Sequence, residues 1–120
     1  MQASRRSLLG LVALVMAVSA VSQWWAGRHD AALGPQLAAL ARPGDIHMVS
    51  STTCAYCTVA RQFLQRHGVA FSECFIERDA ACAAQFAAAR APGTPLLLVR
   101  GRPMVGFDAQ RIQATLARGG

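Results

Sequence analysis

A chain of 120 residues is long enough for one small domain with an N-terminal appendage and too short for two cores of ordinary size. Its twelve basic residues, all arginine, outnumber six acids to give a formal charge of +6. From Asp45 onward the balance is eight to five with the arginines scattered, which reads as a solvated basic surface and excludes a clustered nucleic-acid interface.

The chain opens with a short polar segment containing Arg5 and Arg6, followed by an almost wholly apolar run from Leu8 to Ala20, the layout of an export signal. Two fates follow. Val18-Ser19-Ala20 offers small residues for a signal peptidase, which would leave a soluble periplasmic protein. Alternatively, Leu8 to Ala26 supplies 19 residues, which at ~1.5 Å each cross most of a ~30 Å hydrocarbon layer. Trp24 and Trp25 would then lie at the far interface, where indole rings prefer to sit. The tryptophan pair favours the uncleaved anchor, residues 1–27, in a bacterial-type inner membrane, with Arg5 and Arg6 in the cytoplasm and the rest of the chain facing the periplasm. Ser4-Arg5-Arg6-Ser7-Leu8-Leu9 also resembles a twin-arginine export signal. Residues 28–44 read as a spacer with one short helix: Leu33, Leu37 and Leu40 share a face, Pro35 suits a first turn, and Pro43-Gly44 ends it.

From Asp45 to residue 120 the elements follow at short spacing. Ile46 to Ser50 is a strand, and Cys54 to His67 a helix with Val59, Ala60, Phe63 and Leu64 at helical spacing and Gly68 as its stop. Val69 to Ile76 is a second strand, and Asp79 caps a helix reaching about Ala91 with Ala83, Phe86 and Ala87 on one side. Pro95 to Arg100 and Pro103 to Val105 form strands joined by a Gly101-Arg102 turn, and Asp108 caps a last helix with Ile112 and Leu116 inward. The order is β-α-β-α-β-β-α, an α/β domain.

Two thiols separated by two residues, Cys54-Ala55-Tyr56-Cys57, stand where the first strand becomes a helix. Unpaired N–H groups and the positive dipole end at a helix N-terminus favour a thiolate over a thiol. That makes Cys54 the candidate nucleophile toward a disulfide and Cys57, one turn further in, the resolving thiol.

This order, with the Cys-x-x-Cys pair at the head of the first helix and Thr94-Pro95 at the head of the third strand, resembles the glutaredoxins over about Asp45 to Arg118. The resemblance implies a thioredoxin-like fold with a mixed four-stranded sheet flanked by helices. It also implies a cis Pro95 opposite the cysteines, and a Thr94 backbone that pairs with an extended substrate. Tyr56 matches the aromatic of the family's Cys-Pro-Tyr-Cys, while Ala55 replaces its proline. Two departures bear on the substrate: Ser51 stands where glutathione-binding members carry lysine, and Gly106-Phe107-Asp108 replaces a Gly-Gly pair. Tyr56, Thr94, Pro95, Gly106, Phe107 and Asp108 are the expected substrate-binding residues, for protein disulfides or glutathione mixed disulfides. No cofactor is expected, with glutathione a possible electron donor.

Cys74 and Cys82 admit a structural disulfide or two buried thiols. Two other classes compete with the oxidoreductase. One is a metal module, either zinc on these four thiols, although seven residues between Cys74 and Cys82 suit a zinc ribbon poorly, or an iron–sulfur cluster bridging two copies of the chain. The other is a peptide-binding module that uses the Thr94-Pro95 ledge without turnover. His47 and His67 are assigned no chemistry.

Overall fold

The structure, a computed structural model, describes residues 2–119, which divide at Ala32/Leu33 into two compact units. Residues 1 and 120, the ends of the expected segments, lie outside the described residues. The first element is a 39-residue helix, α1 (Gln2–Leu40). The short spacer helix is therefore not separate, and Pro35 lies inside a helix instead of in a first turn. Nothing between Ala26 and Pro35 stops the helix: Gly27 and Gly34 each cost about 1 kcal/mol against alanine, and alanine and leucine fill much of the interval. At Pro35 the helix loses one N–H donor, toward the Ala31 carbonyl.

In the first unit the apolar side chains from Leu8 to Val21 are all exposed, Leu9 by 70% and Met16 by 68%, so no protein surface covers them. By length and composition this helix is apolar enough to cross a membrane. Just past the apolar run Trp24 and Trp25 meet edge to face at 6.5 Å, and the Arg28 guanidinium lies 3.8 Å over the Trp24 ring.

The second unit contains β1 (Ile46–Ser50), α2 (Ala55–Arg66), β2 (Ser72–Phe75), α3 (Ala80–Ala88), β3 (Leu96–Val99), β4 (Arg102–Val105) and α4 (Ala109–Ala117). The sheet order is β2-β1-β3-β4, with β1 parallel to β2 and antiparallel to β3, and β3 antiparallel to β4. This is the mixed four-stranded sheet and the element order anticipated above.

Because side chains alternate across a sheet, each strand feeds two cores. Ile46, Met48, Leu97 and Val99 meet Ala60 and Leu64 of α2, Ile112 and Leu116 of α4, and Leu37 from the last turns of α1. On the opposite face Val49 and Leu96 meet Cys82, with Phe86 and Ala89 packed against them. Each fully buried leucine or isoleucine contributes about 1.5–3 kcal/mol. Gly34 lets the α1 backbone approach the His67 ring: a Cβ there would fall 2.2 Å from Nδ1.

Several boundaries differ from expectation for local reasons. Val69 is not in β2; it completes the stop of α2, its N–H donating to the Leu64 carbonyl at 2.9 Å after Gly68 turns left-handed at φ 66°. Helix α3 ends at Ala88, and Arg90 at φ 51° turns the chain away. Its packed face is Cys82, Phe86 and Ala89, with Ala87 exposed. The β3–β4 turn is Arg100-Gly101, at φ 49° and 81°, because Val99 pairs with Arg102. Arg100 is held there by its N–H to the Asp45 carbonyl (2.7 Å) and by its guanidinium, which donates to the Leu116 carbonyl at 3.0 Å.

Cys74 on β2 and Cys82 on α3 form a disulfide, with Cα atoms 5.9 Å apart. Closing so short a loop stabilises the fold by about 2–3 kcal/mol. Replacing both cysteines by alanine is expected to lower the unfolding free energy by that amount, seen as a lower urea midpoint in far-UV circular dichroism of the detergent-solubilised chain. An unchanged midpoint would mean that the staple contributes nothing.

Candidate active site

The site is assembled at the start of α2. Cys54 is its N-cap residue, in extended conformation, and the Cys57 N–H donates to Cys54 Sγ at 3.1 Å. Sulfur thus occupies the place where a serine, threonine or aspartate oxygen ordinarily caps a helix. The loop before it is fastened by Glu77, whose carboxylate accepts from the Ser51 hydroxyl and from the Thr52 N–H at 3.1 Å. Ser51, at the position where the resemblance led one to look for lysine, serves that loop.

The two thiols differ in setting. Cys54 is half-buried and Cys57 fully buried, and both are free thiols. Burial pushes the Cys54 pKa up, but hydrogen bonds from the Cys57 thiol, the Thr94 side chain and the Cys57 and Tyr56 N–H groups outweigh it, and the net direction is down. For Cys57 burial dominates, the hydrogen bond with Cys54 adds to it, and the pKa rises. The two sulfurs are thus shifted in opposite directions, that of Cys54 toward easier ionisation.

Opposite them Thr94-Pro95 is a cis peptide, and the Cys54 thiol donates to the Thr94 carbonyl at 3.4 Å. The Gly106 N–H donates to the Pro95 carbonyl at 2.8 Å, which ties the end of β4 to this ledge, with Gly106 at φ 82°. Between the ledge and α2 lies an open groove of about 490 Å³ lined by Tyr56, Val59, Pro92, Gly93, Thr94, Pro95, Val105, Gly106 and Phe107. No arginine and no carboxylate is among those lining residues.

Five of the six expected substrate-binding residues, Tyr56, Thr94, Pro95, Gly106 and Phe107, therefore converge on one groove. Asp108 does not line it: its Oδ1 accepts from the Gln110 and Arg111 N–H groups (3.1 and 3.2 Å), so the carboxylate caps α4. Phe107 lies against Phe63 (5.3 Å), which in turn meets His67 (4.6 Å). The four-thiol arrangement is not assembled, since Cys74 and Cys82 bond to each other, and among the described residues no group of three or more His, Cys, Asp or Glu is placed to hold a metal ion. Sequence reasoning missed Ser50, Arg61, Glu73 and Val59. An acid inside the half-buried strand Ser72–Phe75 was the available signal for Glu73.

A capping cysteine pair facing a cis proline on a β2-β1-β3-β4 sheet defines a thioredoxin-like protein. Residues 46–104 match the family model for Glutaredoxin. Among solved structures, a single-residue mutant of the thioredoxin-like protein BC3987 is 24% identical with a TM-score of 0.55, covering 62% of this chain and 96% of its own. The unmutated BC3987 gives 24% and 0.52, covering 58% and 97%. The glutaredoxin of Methanosarcina mazei Go1 gives 21% and 0.51, covering 61% and 78%. No curated protein matches the chain.

The thiol settings generate a direct expectation. With the Cys54 pKa lowered and the Cys57 pKa raised, iodoacetamide should label Cys54 first in the reduced chain, by peptide mass spectrometry across pH. Equal labelling of both cysteines at every pH would contradict the asymmetry.

Proposed function

We propose that the chain is a thiol–disulfide oxidoreductase that acts on protein disulfides outside the cytoplasm, tethered by α1. The observation that carries this reading is the Cys54 sulfur, fixed 3.1 Å from the Cys57 N–H and 3.4 Å from the Thr94 carbonyl beside an open groove. In the first step the Cys54 thiolate attacks one sulfur of the substrate. The substrate S–S bond breaks, a Cys54–substrate bond forms, and the other substrate sulfur leaves as a thiolate that takes up a proton. Cys57 then gives up its proton and attacks Cys54 Sγ, forming the Cys54–Cys57 disulfide and releasing the second substrate sulfur. The substrate gains two electrons and the protein loses two; run in reverse, the same steps oxidise a dithiol.

The groove supports a polypeptide substrate over glutathione. Beyond α1, the large apolar side chains that stand exposed are Tyr56 (76%), Val59 (59%) and Val105 (50%), and all three line it. Apolar surface of this kind suits the side chains flanking a protein disulfide. Glutathione carries two carboxylates, and the lining residues offer no cation to receive them.

Two experiments test the reading. Cys54→Ser should abolish reduction of a protein disulfide, while Cys57→Ser should accumulate a mixed disulfide visible as a mass adduct; wild-type turnover by Cys54→Ser would refute the assignment. Running the same assay with glutathione and with a thioredoxin system identifies the electron donor. For the tether, alkaline carbonate should leave the chain in the membrane fraction with residues 1–27 intact by mass. A soluble product shortened near Ala20 would replace the anchor by a cleaved signal.

A further inference from the structure

Among the described residues Ser50 is the one fully buried polar side chain, and it lies at the end of β1 just before the cysteine loop. Its hydroxyl donates to Glu73 Oε2 at 2.6 Å. The Glu73 carboxylate, on β2, also accepts two bonds from one guanidinium: Arg61 Nε to Oε1 at 2.7 Å and Nη2 to Oε2 at 2.8 Å. The Glu73 side chain is 13% exposed and the Arg61 side chain 25%. Arg61 stands four residues after Cys57 and seven after Cys54, which places it on the cysteine face of α2.

A largely buried ion pair is a weak source of stability, because desolvation offsets most of its attraction and apolar residues of like volume serve as well. Its placement suggests another use. The bidentate fork fixes where the cation stands far more tightly than a point charge on a flexible stem. The buried hydroxyl, in turn, fixes the carboxylate.

We propose that Glu73, held by Ser50, is a positioning residue that keeps the Arg61 guanidinium on the cysteine face of α2, where its charge favours the thiolates of Cys54 and Cys57. This deepens the proposed function and rests on its reading of the two cysteines as the exchanging pair. The Arg61 pKa is consistent with such proximity: it is raised chiefly by the Glu73 hydrogen bond, against desolvation, and further by the Glu73, Cys57 and Cys54 charges. The other charged group facing the site is Glu77, from the loop after β2, with Arg78 beside it. The end of β1 contributes the neutral Ser50 and Ser51, and the approach to β3 the neutral Thr94.

A cation and an anion in one pair act on a thiolate with opposite signs, so single substitutions read the arrangement out. The measurement is the rate of Cys54 alkylation by iodoacetamide against pH, on the reduced full chain in detergent. Arg61→Gln removes the cation and leaves Glu73 uncompensated; the rate below the ordinary thiol range should fall about two- to fivefold, with the midpoint moving to higher pH. Glu73→Gln keeps a carbonyl to hold the guanidinium but removes the countercharge, and the rate should rise. Glu73→Ala frees the guanidinium to solvent, and the rate should fall. Arg61→Lys should give an intermediate rate. The double variant Arg61→Gln, Glu73→Gln should fall between the two single variants and stay below the wild-type rate, because the positioned cation is gone.

A merely structural pair would move Arg61→Gln and Glu73→Gln in the same direction, and that result, or no movement in either, overturns the proposal. The near-isosteric Glu73→Gln and Arg61→Lys keep the test decisive if a harsher variant misfolds by circular dichroism. Protein-disulfide turnover measured alongside separates the two readings. Lost wild-type turnover with the sign pattern intact sinks the oxidoreductase and leaves the positioning; normal turnover without the pattern sinks the positioning alone.

Discussion

The arrangement depends on one contact, the Cys57 N–H directed at Cys54 Sγ. A helix start has backbone donors with no partner of their own, and in α2 the group that answers them is the atom able to attack a disulfide. Capping and nucleophilicity are therefore the same interaction seen from two sides. Negative charge on sulfur strengthens the cap, and the cap stabilises the charge. Cys57 lies within the first turn of that helix and is fully buried, and burial moves its pKa the opposite way, up.

Everything else positions what that sulfur faces. The central strand β1 delivers the cysteine loop, and its antiparallel neighbour β3 begins at the cis proline, so one pairing sets the distance between nucleophile and ledge. Gly106 at the end of β4 fastens the ledge from the other side. The aromatic series His67, Phe63, Phe107 runs from the stop of α2 to the groove wall, and Gly34 of α1 lies against its first ring. Packing under the groove is thereby continuous with the main core.

Much of this was legible in the residues. The Cys-x-x-Cys pair between an apolar strand and an amphipathic helix marked the candidate site as a local signal with a local cause, and the family resemblance pointed to Thr94-Pro95 as its opposite wall. The caps Asp79 and Asp108 were equally readable, although the second turned out to be fully engaged with α4 and not with the groove. What escaped were contacts made by pairing across distance: the parallel register of β1 and β2 brings Glu73 to Ser50 and Arg61, and no sequence spacing announces it. The turn shifted because strand register claimed Arg102, whereas the start of β2 moved for a local reason, the stop of α2 claiming Val69. Continuity of α1 through Pro35 shows how little a lone proline counts against a long run of residues that favour helix.

The bridge between Cys74 and Cys82 has a consequence for how this fold is assembled. It belongs to the thinner of the two layers, where only Val49, Leu96 and Cys82 are wholly shielded from water. While its thiols are reduced, α3 rests on that meagre contact by itself; on oxidation the outer strand and the helix above it are sewn together. The same polypeptide is thus pliable before the bridge closes and hardened after it.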